Sequence, residues 1–232
     1  MKPTVLVLSC EHAVSNIPEE YMHLFINNEE LLTTYQAVDL GALDITKRIS
    51  QNLECEYTQS AVSRLLVDCN QDEDHDRCFS NFTKNCSEEI KKTLLNKYHR
   101  PFRQQIQNLI KTHIDNNQQV LHLSIHSFHN TDDTENTALG LIYNCDRHGE
   151  REVIRIWRTL LSMQHPIYRV RINHPNESMT TSFTNSLRNH HAESNYLGII
   201  LEINQNLIHQ LDWERQLSQI LSSTLVELLQ LL

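Results

Sequence analysis

The chain has 232 residues and a formal net charge of −9, from 20 Lys+Arg against 29 Asp+Glu. That size allows one large or two small domains, and a single domain over 1–232 is the simplest expectation. The acidic balance, with no long Lys/Arg cluster, argues against a nucleic-acid partner, whose affinity rests on cationic contacts to phosphate. No apolar run approaches the ~20 residues of a membrane span.

Residues 4–8 form a short apolar, β-branched run that reads as a strand. It ends in Ser9-Cys10-Glu11-His12, and Pro18 signals a turn soon after. Residues 39–53 read as a helix, with Leu40, Ala42, Leu43 and Ile49 at helical spacing. Residues 54–62 and 65–67 read as short strands. The run over 61–70 carries Arg64 near its start and Asp68 and Asn70 at its end. The charged run Gln71-Asp-Glu-Asp-His-Asp-Arg77 reads as a solvated loop. Residues 85–116 read as helical, with Asn85 and Glu88 as a cap pair and Pro101 as a break or kink.

Residues 120–126 read as a strand that delivers His126, Ser127 and His129 at its C-terminal end. Beyond it, 139–143 is a strand, 150–163 a helix, 168–172 a strand, 180–195 a helix and 197–203 a strand. Residues 213–229 form an amphipathic helix whose Leu217, Ile220, Leu221, Leu225 and Leu228 belong to the core. Strands alternating with helices imply a mixed, mostly parallel sheet covered on both faces. The expected class is therefore α/β, a three-layer α/β/α arrangement.

Only four glycines are present, Gly41, Gly140, Gly149 and Gly198. Their spacing excludes a G-x-G-x-x-G fingerprint, a P-loop and a G-x-S-x-G elbow. The six cysteines contain no C-x-x-C pair, so a cysteine-based zinc site is not expected. With no export signal they read as reduced thiols in a cytoplasm. Cys10 reads as a small apolar packing residue, with a nucleophilic role as the alternative.

Imidazole is the commonest metal ligand and a frequent general base near pH 7, and open α/β sheets bind ligands at the carboxyl ends of their strands. His12 and His126 both fall at such ends. Glu202 sits inside an otherwise apolar strand. A buried carboxylate requires a metal, a cation or a proton.

Six segments share a further pattern: Ser9-Cys-Glu-His12 with Ile17-Pro18, Asp39-Leu-Gly41, Ser63-Arg-Leu-Leu-Val-Asp-Cys-Asn70, Tyr98-His-Arg-Pro-Phe-Arg103, Ile125-His-Ser127 and Leu201-Glu-Ile203. In order and spacing the chain resembles the N-formylglutamate amidohydrolase family, which is similar in fold to zinc carboxypeptidases and aspartoacylases. The resemblance implies a zinc-carboxypeptidase-like fold and a zinc-dependent amidohydrolase acting on a small N-acyl amino acid. It implies His12 and His126 as zinc ligands, with Asp39 as the third ligand and Glu11 as the alternative. Glu11 would otherwise orient His12, and Asp39 would otherwise cap its helix. Glu202 matches the general base. Arg64 is expected to hold the oxyanion or a substrate carboxylate, or else to pair with Asp68 or another acid. Asn70, Gln71 and His129 are the expected substrate contacts, with His190 or His191 as a further one.

Two departures bear on specificity. Gln71 and Asn204 stand where the family pattern has arginine, which points away from N-formylglutamate unless Arg77, Arg103, Arg169, Arg171 or Arg188 compensates. A non-catalytic, small-ligand-binding member of the same fold is the alternative function. The oligomeric state is left open.

Overall fold

The computed structural model describes residues 2–129, 137–173 and 182–232, apart from the side chain of His209. Its centre is a six-stranded sheet built from β1 (Thr4–Cys10), β2 (Glu56–Gln59), β3 (Gln119–Phe128), β4 (Leu139–Ile142), β5 (Val170–Ile172) and β6 (Tyr196–Asn204). The order across the sheet is β2-β1-β3-β6-β4-β5. All neighbours run parallel except β4 and β6, which are antiparallel. The expected mixed, mostly parallel sheet is therefore present.

Every residue of β6, and all of β3 but its first, is buried. A central parallel strand is covered on both faces and so reads as a nearly continuous apolar run. One face carries Leu121, Leu123 and Ile125 of β3 and Leu197, Ile199 and Leu201 of β6. Three helices cover it: α1 (Ala42–Leu53), α4 (His148–Gln164) and α6 (Trp213–Leu231). Leu217, Leu221, Leu225 and Leu228 of α6 are all buried there, as the amphipathic pattern requires. The other face is covered by α3 (Arg100–Asp115) and α5 (Phe183–His190), through Phe102, Ile106, Ile110, Phe183 and Leu187. Successive strand residues alternate faces, so His122, Ser124 and His126 share this second face with Val120. Glu202 is in register with His126.

Four local expectations are corrected. Residues 61–70 form turns, not a strand. Ser63 accepts from Leu65 N at 3.2 Å through its hydroxyl, and its carbonyl accepts from Leu66 N at 2.9 Å. This side-chain bond offers the backbone an alternative to a ladder. Val62, Leu66 and Val67 then bury against Phe25 and Leu94 in a separate cluster beside the sheet. Helix α2 (Glu88–Leu94) is capped by Ser87, whose hydroxyl accepts from Ile90 N, and not by Asn85. Pro101 does not break the helical stretch. It sits in the first turn of α3, directly after a widened turn over Leu95–His99, where a missing N–H is tolerated. Finally, α1 begins at Ala42 and not at residue 39. Gly41 precedes it with φ of +77°, and no side chain caps it, so the Asp39 carboxylate is left for other partners. The first two residues of the expected 180–195 helix lie outside the described residues, and the described helix α5 ends at His190.

Candidate metal centre

His12 follows the C-terminal end of β1, and His126 lies near that of the adjacent β3. Asp39 enters from the loop before α1, where its backbone N donates to His12 O at 3.0 Å. All three are buried, and each offers one ligand atom within 4.8 Å of the others. Asp39 Oδ2 lies 2.7 Å from His126 Nδ1 and 3.3 Å from His12 Nδ1. Asp39 therefore joins the two histidines, which its sequence position alone left open against a capping role.

Each ring is backed on its far nitrogen by a carboxylate. His12 Nε2 lies 2.8 Å from Asp68 Oδ1, and Asp68 is itself oriented by the Asn70 N–H at 2.9 Å. His126 Nε2 lies 3.2 Å from Glu11 Oε2. Glu11 thus stands behind His126, on the side away from Asp39, and not behind His12 as its position in the chain suggested. Asp68 takes that role, and sequence reasoning missed it. The turn over 61–70 delivers Asp68 from a region read as a strand.

Arg64 fixes one tautomer. Its guanidinium only donates, and one nitrogen lies 3.1 Å from His12 Nδ1 and 3.2 Å from Asp39 Oδ1. His12 Nδ1 then accepts, and its proton is on Nε2 toward Asp68. The 3.3 Å contact of Nδ1 with Asp39 would require the opposite assignment. The shorter Arg64 contact, and its bridge to Asp39, favour the bare Nδ1. A bare Nδ1 facing a buried carboxylate is the state a metal ligand needs.

The electrostatics favour positive charge at this site, carried by protons on the rings when no metal is bound. Burial opposes the charged form of Asp39, yet His12 and His126 hold its carboxyl far below the usual range. Burial likewise opposes ionisation of Glu11, but contact with His126 and nearby charge bring it down to about 2. Burial lowers the pKa of His126, and Asp39 and Glu11 more than reverse this, leaving it well above the ordinary imidazole value. For His12, burial lowers the pKa and Arg64 adds to this, but Asp68 and Asp39 together more than reverse both, and the shift is again upward. With both rings neutral, the carboxylates of Glu11, Asp39 and Asp68 outnumber the Arg64 guanidinium by two charges. A divalent cation cancels that excess, and two imidazoles with one carboxylate are a common three-ligand set for zinc. The residues present fit such an ion.

The remaining expected residues are spread around this group. Glu202 is buried on β6, opposite His126 in the β3–β6 register. Asn70 accepts from Phe183 N through Oδ1 at 3.0 Å, so it tethers the start of α5. Gln71 is buried, and its Oε1 has no partner among the described residues. Of the alternative arginines, Arg103 donates to Gln71 O at 2.7 Å and lies 4.4 Å over the Phe183 ring. Arg188 is committed to the buried Glu150 at 3.0 Å. Asn204 caps the next turn by accepting from Asn206 N. His129 is exposed and stacks on Tyr35 at 4.5 Å. His190 is exposed and bonds Ser186 O, while His191 lies 5.7 Å from the Tyr196 ring. Neither belongs to the cluster. Cys10 packs in the core on the opposite face, where burial raises its thiol pKa. Both observations remove it as a nucleophile.

The model of a family described as N-formylglutamate amidohydrolase matches residues 4–209. Among solved structures, a gene product of Agrobacterium tumefaciens is similar, with a TM-score of 0.79 at 20% identity, covering 99% of this chain and 90% of that one. An N-formylglutamate amidohydrolase from Ralstonia eutropha gives a TM-score of 0.70 at 14% identity, covering 99% of this chain and 93% of that one. At those identities the likeness concerns the fold. No curated protein matches the sequence.

Proposed function

The chain belongs to the N-formylglutamate amidohydrolase family, and from that premise we propose that it is a zinc-dependent hydrolase cleaving the amide bond of a small N-acyl amino acid. The observation that carries this reading is the buried convergence of His12, Asp39 and His126, with Asp68 and Glu11 behind the two rings.

In this reading His12 Nδ1, Asp39 Oδ2 and His126 Nδ1 hold the ion. Zinc bound there lowers the pKa of a water to about 7 and polarises the scissile carbonyl. Glu202 is the general base: its carboxylate accepts a proton from the attacking water and returns it to the departing nitrogen. Arg64 now bonds His12 Nδ1 and Asp39 Oδ1. With those atoms given over to an ion, its partly exposed guanidinium would be available to hold the oxyanion or a substrate carboxylate. Asn70, Gln71 and His129 are the proposed substrate contacts, with Gln71 offering a neutral amide where a family member would offer arginine.

Metal analysis of purified protein tests the reading. The expected result is about one zinc per chain, largely lost in His12→Ala and in His126→Ala. A folded protein that takes up no stoichiometric zinc after reconstitution refutes it.

A further inference from the structure

Behind the site a line of buried polar side chains runs across the second face of the sheet, through β1, β3 and β6. Ser9 Oγ lies 2.6 Å from Glu11 Oε1 and 2.8 Å from His122 Nε2. His122 Nδ1 lies 2.8 Å from the Tyr196 hydroxyl. Ser124 Oγ donates to Glu11 Oε2 at 2.8 Å. Five polar side chains in a layer otherwise packed with apolar residues are costly unless their bonds are made.

Burial brings the pKa of His122 down to about 4, and with that ring neutral and Glu11 ionised only one set of proton positions makes them all. An ionised carboxylate only accepts, so the hydroxyls of Ser9 and Ser124 both donate to Glu11. Having used its single proton, Ser9 accepts from His122, which places that ring's proton on Nε2. His122 Nδ1 is then bare and accepts from the Tyr196 hydroxyl. The chain is directional, Tyr196 to His122 to Ser9 to Glu11. The backbone makes room for it: Gly198 is paired with His122 in the β3–β6 register, and a Cβ there would come within 2.8 Å of the Tyr196 oxygen.

We infer that this chain makes Glu11 a positioning residue for the metal centre, aiming its carboxylate at His126 Nε2 so that the ring keeps its proton there and offers Nδ1 to the ion. The inference rests on the proposed zinc reading. The contact is close, 3.2 Å, and yet His126 Nε2 makes no directed hydrogen bond. Glu11 is therefore in place as a partner for a ring that still has a bond to make. The two serines hold both carboxylate oxygens, so Glu11 cannot turn away when the ring moves. His12 has the corresponding partner in Asp68, already bonded at 2.8 Å.

The test uses the full chain with zinc, and compares wild type with Glu11→Gln and with the double variant Ser9→Ala/Ser124→Ala. Zinc affinity is measured by competition with a chromogenic chelator, and folding by the thermal midpoint of the metal-free proteins. In the zinc-loaded proteins, NMR follows the His126 Nε2–H proton. The expected result is a roughly 10–100-fold loss of zinc affinity in Glu11→Gln, a smaller loss in the double serine variant, and a downfield, exchange-protected Nε2–H signal in wild type that Glu11→Gln lacks. A purely structural role for the chain would lower the midpoint without moving that signal. If Glu11→Gln does not fold, the serine variant, which keeps the charge, decides alone. Wild-type affinity and an unchanged signal in the folded variants overturn the inference while leaving the zinc reading intact. A folded wild type that binds no zinc overturns both.

Discussion

Asp68→Asn tests the metal centre at a residue that cannot itself be a ligand in the His12–Asp39–His126 set. The asparagine is nearly isosteric, and its Oδ1 still accepts from His12 Nε2 and from the Asn70 N–H, both of which now meet Asp68 Oδ1. Only the charge is removed. A hydrogen bond to a charged group contributes about 1.5–3 kcal/mol and a neutral one about 1. The difference, roughly 0.5–2 kcal/mol, is a basicity that Nδ1 loses toward the ion, and it converts to roughly 2–30-fold in affinity. A second effect has the opposite sign. Burial lowers the pKa of His12, but Asp68 and Asp39 together reverse this and leave it raised, so removing the Asp68 charge makes protons compete with zinc less strongly in the variant than in wild type. In Asp68→Asn the acid limb of zinc binding should therefore move to lower pH while the plateau affinity falls. Chelator competition repeated across pH reads both effects. Equal plateaus with coincident acid limbs would show that Asp68 does not act through His12, and the argument for the two backed rings would fail.

The metal-free protein has a predictable pH optimum. Glu11, brought down to about 2 from an ordinary 4.5 by His126 against the opposing effect of burial, contributes stability that is present above about 4.5 and lost as pH falls toward 2. His126, raised above 6.5 by Asp39 and Glu11 against burial, contributes stability that is full below 6.5 and lost as pH rises through its folded pKa. Thermal midpoints without metal should thus be highest between about 4.5 and 6.5 and should decline in alkali, and excess zinc should abolish the alkaline decline. A midpoint that climbs steadily from pH 6 to 9 without metal contradicts this. Glu202→Gln should retain zinc and lose ~10²–10⁴-fold in turnover; a variant as fast as wild type moves the general base elsewhere. Gln71→Arg should improve hydrolysis of N-formylglutamate, because a charge-assisted pair left unmade typically costs ~2–5 kcal/mol. If wild type already turns that substrate over efficiently and the variant is slower, another residue holds the carboxylate.

The sheet was the most legible part of the sequence. The apolar runs of β3 and β6 announce strands covered on both sides, and histidines at two strand ends mark the edge where a site belongs. Less was visible where contacts are distant in the chain. Asp68 meets His12 across 56 positions, and no local pattern connects them. The turn that carries Asp68 looks extended because Val62, Leu66 and Val67 are apolar for a different reason, burial in a side cluster. Adjacency in the chain points Glu11 toward His12, but the turn that follows β1 sends the two side chains to different partners, Glu11 to His126 and His12 to Asp68. The polar layer was readable in part: His122, Ser124 and His126 recur at a period of two, which in a strand places all three on one face. Their partners Ser9 and Tyr196 come from other strands and could not be read from that period.

The strand order has a consequence for how this chain reaches its native state. Thr4 of β1 pairs with Gln119 of β3 across 115 positions, and β3 pairs with β6, which begins only at Tyr196. The two central ladders therefore close long loops, which slows folding. The site residues at 12, 39, 68, 126 and 202 are spread along most of the chain, although the strands that position three of them are neighbours in the sheet. During synthesis β1 and β3 can meet only after about half the chain has emerged, and the outer edge of β3 stays open until β6 arrives to cover it. An intermediate that stalls there exposes an unpaired edge. In the proposed reading zinc would need the assembled β1–β3 corner, and would therefore bind the finished sheet and not its precursors, drawing the equilibrium toward the completed fold.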